Sequence, residues 1–117
     1  VTVDGKLLVG QIVEVLENKS VVQTIFDQKF SLPVRFGERA ADALLVGGLS
    51  PKLTLIEKSV DVEEGAAAYS ASREFPYGMA IGTVGAISGS SGDSLRKAVL
   101  NLSYQIDDLR ELAILIQ

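Results

Sequence analysis

The chain has 117 residues, of which 47% are hydrophobic and 22% charged, enough for one globular domain with a core of its own and too little for two independent ones. Fifteen acidic against eleven basic residues leave a net charge of −4, which counts against a footprint on nucleic-acid phosphates or anionic lipid. Cysteine and histidine are both absent, which removes disulfides, thiol catalysis, Ser-His-Asp and Cys-His machinery and the usual zinc and iron sites.

Apolar runs are short: Leu112-Ala113-Ile114-Leu115-Ile116 is typical, against the ~18 residues of a membrane-spanning helix. The first residue is Val1 rather than methionine, so a mature product or an excised piece of a longer protein is expected, and the lack of a leader or anchor leaves location open.

Short β-rich runs recur at intervals of about ten residues, the spacing of a sandwich or small barrel. The run Leu7 to Leu16 is dense in β-branched residues and is followed by the turn residues Glu17-Asn18-Lys19-Ser20 and by a second run, Val21 to Phe26. The two are predicted to form an antiparallel hairpin. After the polar break Asp27-Gln28-Lys29, the segment Ser31 to Phe36 alternates, with Leu32, Val34 and Phe36 on one face and Ser31, Pro33 and Arg35 on the other. Pro33 cannot donate to a sheet ladder, which predicts an edge strand or a bulge.

Further strands are expected at Ala43 to Val46, closed by Gly47-Gly48, and at Leu53 to Ile56, after Pro51. The acidic turn Val60 to Gly65 leads into Ala66-Ala67-Ala68-Tyr69-Ser70, whose alanines favour helix by propensity but are too few to nucleate one, so a strand is predicted. Phe75-Pro76-Tyr77-Gly78 is a turn sequence, and Met79 to Ile87 a strand whose Gly82 and Gly85 suggest a bulge or barrel corner.

Ser88 to Ser94 is an exposed loop by composition. From Leu95 to Ile116 two periods compete. Leu95, Val99, Leu102, Ile106, Leu109, Ala113 and Ile116 form a helical heptad seam, whereas Ala98, Leu100, Leu102, Tyr104 and Ile106 share one face of a strand. The recurring Ser and Asn and the mid-segment Asp107-Asp108 favour strand, turn, strand, with the turn at Leu109-Arg110-Glu111.

Gly92-Asp93-Ser94-Leu95 spells the signature of a serine esterase family, but Ser94 has no histidine to take its proton and sits in a Gly/Ser tract rather than on a rigid elbow. Asp61, Glu63 and Glu64 lack the glycine-punctuated loop of a calcium site and are read as a solvated turn; Asp107-Asp108 is read as a cap. No catalytic, cofactor or metal residue is assigned. Phe26, Phe36, Tyr69, Phe75 and Tyr104 are expected in the core or plugging barrel ends. Phe30 and Tyr77 fall in turns, where an exposed ring marks a partner surface, and they are the candidate contact residues.

Two stretches carry a family resemblance. Asp4-Gly5-Lys6-Leu7-Leu8-Val9-Gly10-Gln11-Ile12-Val13-Glu14-Val15, followed by Ser20-Val21-Val22, and Val62-Glu63-Glu64-Gly65 with Phe75-Pro76-Tyr77-Gly78-Met79-Ala80-Ile81-Gly82-Thr83-Val84 together resemble the extracytoplasmic β domain of the rod shape-determining protein MreC family. The similarity extends over nearly the whole chain, including Asp107 to Leu109 and the final apolar run. It makes Gly5, Gly10, Gly65, Phe75, Pro76, Gly78 and Gly82 the turn and fold-determining positions.

The resemblance implies an all-β fold of one or two interlocked six-stranded barrels, antiparallel, with at most a short helical turn near the C-terminus. Residues 1–117 would be the barrel region outside the cytoplasmic membrane, with a membrane anchor and coiled coil upstream. It further implies a non-enzymatic scaffold of the cell-elongation machinery, without cofactors, partnered by the penicillin-binding transpeptidase of lateral wall peptidoglycan synthesis and by the MreD and MreB system. Self-association through an unpaired sheet edge is expected on physical grounds. Nucleic acid is not expected as a partner, and membrane contact only through the upstream anchor. A PRC-type barrel associated with RNA or the ribosome, which would carry a basic face, is the alternative, and a hydrolase using Ser94 the third.

Overall fold

The computed structural model describes residues 1–3, 6–37, 41–57, 62–72, 75, 78–89, 95–105, 107 and 109–114. Its strands are β1 (Thr2–Val3), β2 (Leu7–Leu8), β3 (Gly10–Val15), β4 (Ser20–Thr24), β5 (Ser31–Phe36), β6 (Ala41–Val46), β7 (Lys52–Glu57), β8 (Ala67–Ser70), β9 (Ala80–Ser88) and β10 (Leu95–Asn101). No helix or strand beyond these occurs among the described residues apart from a 3-10 conformation at Asp107 and a single bridge at Ala113.

The strands β9, β10, β7, β6, β5 and β8 are hydrogen-bonded in that order, and β8 returns to β9, so six antiparallel strands close into a barrel. Closure removes every free edge among them. Every strand sends side chains inward, alternating except across the bulges of β7 and β9: Leu32, Val34 and Phe36 from β5, Leu45 from β6, Leu53 and Ile56 from β7, Ala68 and Ser70 from β8, Ile81 and Val84 from β9, and Ala98 and Leu100 from β10 are buried. The predicted alternation of Ser31 to Phe36 is therefore the observed one.

Tight curvature comes from bulges. In β9 the register against β10 slips between Val84 and Ile87, so that Gly85 and Ala86 oppose Val99, and against β8 it slips again around Ile81. Gly82 lies where a Cβ would run into the Asn101 carbonyl oxygen, so only glycine lets β9 pass this close to the end of β10.

Four expectations need correction. Leu7 to Leu16 is not one strand: Val9 separates β2 from β3, its N–H donating to the Val1 carbonyl and its carbonyl accepting from Ile25 N–H, so the chain changes partners there. The strand with Pro33 is not at an edge, since β5 pairs with both β6 and β8. Pro33 is tolerated because its carbonyl, and hence its missing donor, faces Ala71, one residue past the end of β8. Leu95 opens a strand as predicted, with no helix in its heptad among the described residues, but of the second strand the described residues show only the bridge between Ala113 and Thr2. Leu109-Arg110-Glu111 is irregular rather than a helical turn.

The remaining strands do not complete a second barrel among the described residues. β1 pairs with β2, which runs parallel to β9 at Leu7 and Ala80, while β3 and β4 pair only with each other. This hairpin leaves the core at Val9 and Ile25, both fully buried, and its distal half is exposed.

Candidate interaction surface

Of the two aromatic rings expected at a partner surface, Tyr77 lies outside the described residues, and Phe30 is not exposed: only 2% of its surface meets solvent. The Asp27 carboxylate accepts a hydrogen bond from Lys29 N–H at 2.8 Å, and Phe30 N–H donates to the Asp27 carbonyl at 3.0 Å. This turn tucks the ring back into the core. Phe30 in turn accepts Gly47 N–H at its carbonyl, and a Cβ on Gly47 would collide with the Asp27 and Ile25 carbonyl oxygens. Absence of a side chain at Gly47 is what seats the β6–β7 loop against the turn that carries Phe30, a pairing that residues so far apart in sequence do not advertise.

The turn of the Phe75-Pro76-Tyr77-Gly78 motif is anchored at its described ends. Phe75 packs against the core. Gly78 has φ +78° and donates its N–H to the Ser70 carbonyl at 2.9 Å, while Ser70 N–H donates to the Met79 carbonyl and Ser70 Oγ accepts from Met79 N–H. The loop between β8 and β9 is thus clamped on the buried Ser70. Pro76 and Gly5 lie outside the described residues, as do Ser94 and Asp61. Gly65 turns the chain at φ +91°, and Glu63 and Glu64 beside it are exposed. Among the described residues no cluster of carboxylates is placed to hold a metal ion.

Beneath the barrel, Tyr104 donates its hydroxyl to the Leu8 carbonyl at 3.2 Å and meets the Phe26 ring edge-on at 6.1 Å between centroids. Burial pushes its pKa up to about 12, so it stays a neutral donor. Phe26, Leu49, Pro51, Val99, Leu102 and Tyr104 line an open cleft of about 290 Å³.

The exposed apolar side chains carry no warning in the sequence. One group is on the hairpin: Val13, Val15, Leu16 and Val21. A second is on the outer wall of β7 and β10 and the loop before β7, Leu49, Leu55, Leu95 and Val99, and Leu112 and Ile114 are exposed on either side of Ala113. Leu55 is the one non-glycine residue at positive φ among the described residues, +59°. In β7 two residues, Thr54 and Leu55, lie between the partners of Arg96 and Ala98 where β10 has only Lys97. That bulge breaks the alternation, so Leu53 and Ile56 point inward while Leu55 is thrown out, 54% exposed. A branched residue in the left-handed region costs about 1–2 kcal/mol, and the result here is an apolar side chain presented to solvent. The sequence Leu53-Thr54-Leu55-Ile56 carries no glycine or asparagine to signal it.

Comparison with known proteins places this architecture. The family model for the barrel core of the rod shape-determining protein MreC matches residues 1–116. Among solved structures, one of MreC superposes with a TM-score of 0.73 at 27% identity, covering 81% of this chain and 58% of the other. MreC from Pseudomonas aeruginosa gives 0.72 at 27% identity, covering 81% and 66%. The complex of penicillin-binding protein PBP2 with MreC from Helicobacter pylori gives 0.65 at 17% identity, covering 82% and 62%, a likeness of fold. The chain thus spans about three-fifths of the length of the chains it matches. No curated protein matches it. With a barrel-core match over nearly its whole length and the six-stranded closure to go with it, the chain belongs to the MreC family of rod shape-determining proteins.

Proposed function

We propose that this chain is a non-enzymatic scaffold domain of the bacterial cell-elongation machinery, working on the extracytoplasmic side of the cytoplasmic membrane in lateral wall synthesis. The observation that carries the reading is the closed barrel matched by the MreC barrel-core model over residues 1–116. Membership of a shape-determining family, a histidine-free sequence and a surface of exposed aliphatic side chains all suit a module that binds proteins rather than one that turns over a substrate. The partner it fits is a penicillin-binding transpeptidase, as in the complex formed by the Helicobacter pylori relative. An upstream membrane anchor and coiled coil complete this proposal, with MreD and the MreB system as the links to the cytoplasm. An RNA-associated barrel is disfavoured by the net charge of −4.

The test is replacement in a rod-shaped bacterium depleted of its own MreC, with this chain joined to the host's anchor and coiled coil. Rods restored, together with binding of the host transpeptidase's extracytoplasmic region to the purified chain, are expected. Round cells with no binding would end the scaffold reading. Ser94→Ala is expected to restore rods equally.

A further inference from the structure

We infer that the outer wall of β7 and β10 is a docking surface for an acidic, apolar segment of a penicillin-binding transpeptidase. The inference rests on the scaffold reading for the identity of the partner and on this wall alone for the place and chemistry of contact.

Register puts the pieces together. Lys52 of β7 lies directly opposite Val99 of β10 on one side and Val46 of β6 on the other. Along β10 the exposed residues Leu95, Lys97 and Val99 follow one another on one face, and Leu49 lines the same cleft as Val99. Leu55 stands out between them on its bulge. Aliphatic side chains therefore surround two exposed ammonium groups. Neither Lys52 nor Lys97 is in an ion pair among the described residues, although the chain as a whole is acidic.

Two arguments point to a protein segment bearing carboxylates. The lysines are a local excess of positive charge on a chain of net charge −4, so complementarity selects an acidic partner. The bulge that turns Ile56 into the core leaves Leu55 as an apolar side chain standing on the same exposed wall as the two lysines. Apolar side chains seated on Leu49, Leu55 and Val99 with carboxylates reaching Lys52 and Lys97 satisfy both features. The hairpin apolar group has the opposite balance, with Glu14 and Glu17 against Lys19, whereas the wall sets Lys52 and Lys97 against Glu57, which lies opposite Leu95.

The experiment measures binding of the transpeptidase's extracytoplasmic region to the immobilised chain by interferometry at low and high salt. The variant Lys52→Glu with Lys97→Glu is expected to bind at least about tenfold more weakly and to lose most of the salt dependence. Leu55→Asn should bind more weakly while melting at a higher temperature, because asparagine tolerates the left-handed region. This opposite movement of affinity and stability is not produced by a merely structural residue. Equal affinity of wild type and the lysine variant would overturn the inference and leave the scaffold reading standing; no binding by the wild type would overturn both. Binding of phosphatidylglycerol vesicles lost in the lysine variant, without loss of transpeptidase binding, would assign the face to membrane and overturn it. A concentration-dependent dimer in sedimentation velocity, dissolved by the same variant with transpeptidase binding intact, would assign the face to a second copy and overturn it equally.

Discussion

The barrel and the hairpin of this molecule are built from the same kinds of residue and meet opposite fates. Val13, Val15 and Val21 on β3 and β4 are as β-prone and as apolar as Val34 and Val84 in the barrel, yet the first three are exposed and the last two buried. The difference is closure. In the barrel every strand has two neighbours and a shared interior, whereas β3 and β4 have only each other. A two-stranded ribbon has no inside, so strand propensity alone buries nothing. The bulge at Val13, between the pairs Ile12–Val22 and Glu14–Val21, twists the hairpin further from a flat template.

Deleting core volume tests the contrast most strongly. Leu53→Ala, at a position with no solvent exposure, should destabilise the domain by ~2–5 kcal/mol in chemical denaturation. Val15→Ala, at a side chain 74% exposed, should change stability by no more than ~0.5 kcal/mol. Comparable losses from the two would mean that the hairpin is packed in solution and that the two regions do not differ in burial.

Strain at the barrel's own turn comes next. Gly78 holds φ +78° with open space where a Cβ would stand, so Gly78→Val adds strain without a clash and should cost ~1–3 kcal/mol. An unchanged melting temperature would show that the loop clamped on Ser70 can relax without disturbing β8 and β9.

A smaller loss than at Gly78 is expected at the junction of the two regions, where the Tyr104 hydroxyl donates to the Leu8 carbonyl. Tyr104→Phe removes the hydroxyl that satisfies the Leu8 carbonyl and should cost ~0.5–1.5 kcal/mol at neutral pH. Because burial raises the tyrosine's pKa to about 12 from 10.0, the native state resists ionisation more than the unfolded chain does. Its contribution is present in full below pH 10.0 and is lost as pH rises through about 12. Melting temperature followed across that range should fall more steeply in wild type than in Tyr104→Phe. Parallel slopes would place the alkaline sensitivity elsewhere.

Much of the barrel is legible in the sequence because its signals are local. The alternation from Ser31 to Phe36 and the glycines of β9 announce a strand and its bulge, and the short alanine run at Ala67 to Ser70 forms β8 as its length requires. Gly78 takes positive φ, where a turn ending in glycine allows it. The place of Phe30 is not legible, because its burial depends on Gly47, a residue from another loop. The β7–β10 wall is hidden for a related reason: Leu55 looks like an inward residue until the register against β10 is known.

What the sequence by itself determined is the material: β-branched runs separated by turns, no histidine or cysteine for catalysis, an acidic balance, and turn motifs specific enough to resemble a family. Tertiary structure alone decided which apolar residues are core and which are surface. The pleat gives every strand two faces, and only the partners on either side determine which face is inside. In β7 one extra residue in the ladder reverses the assignment after Thr54, turning Ile56 in and Leu55 out.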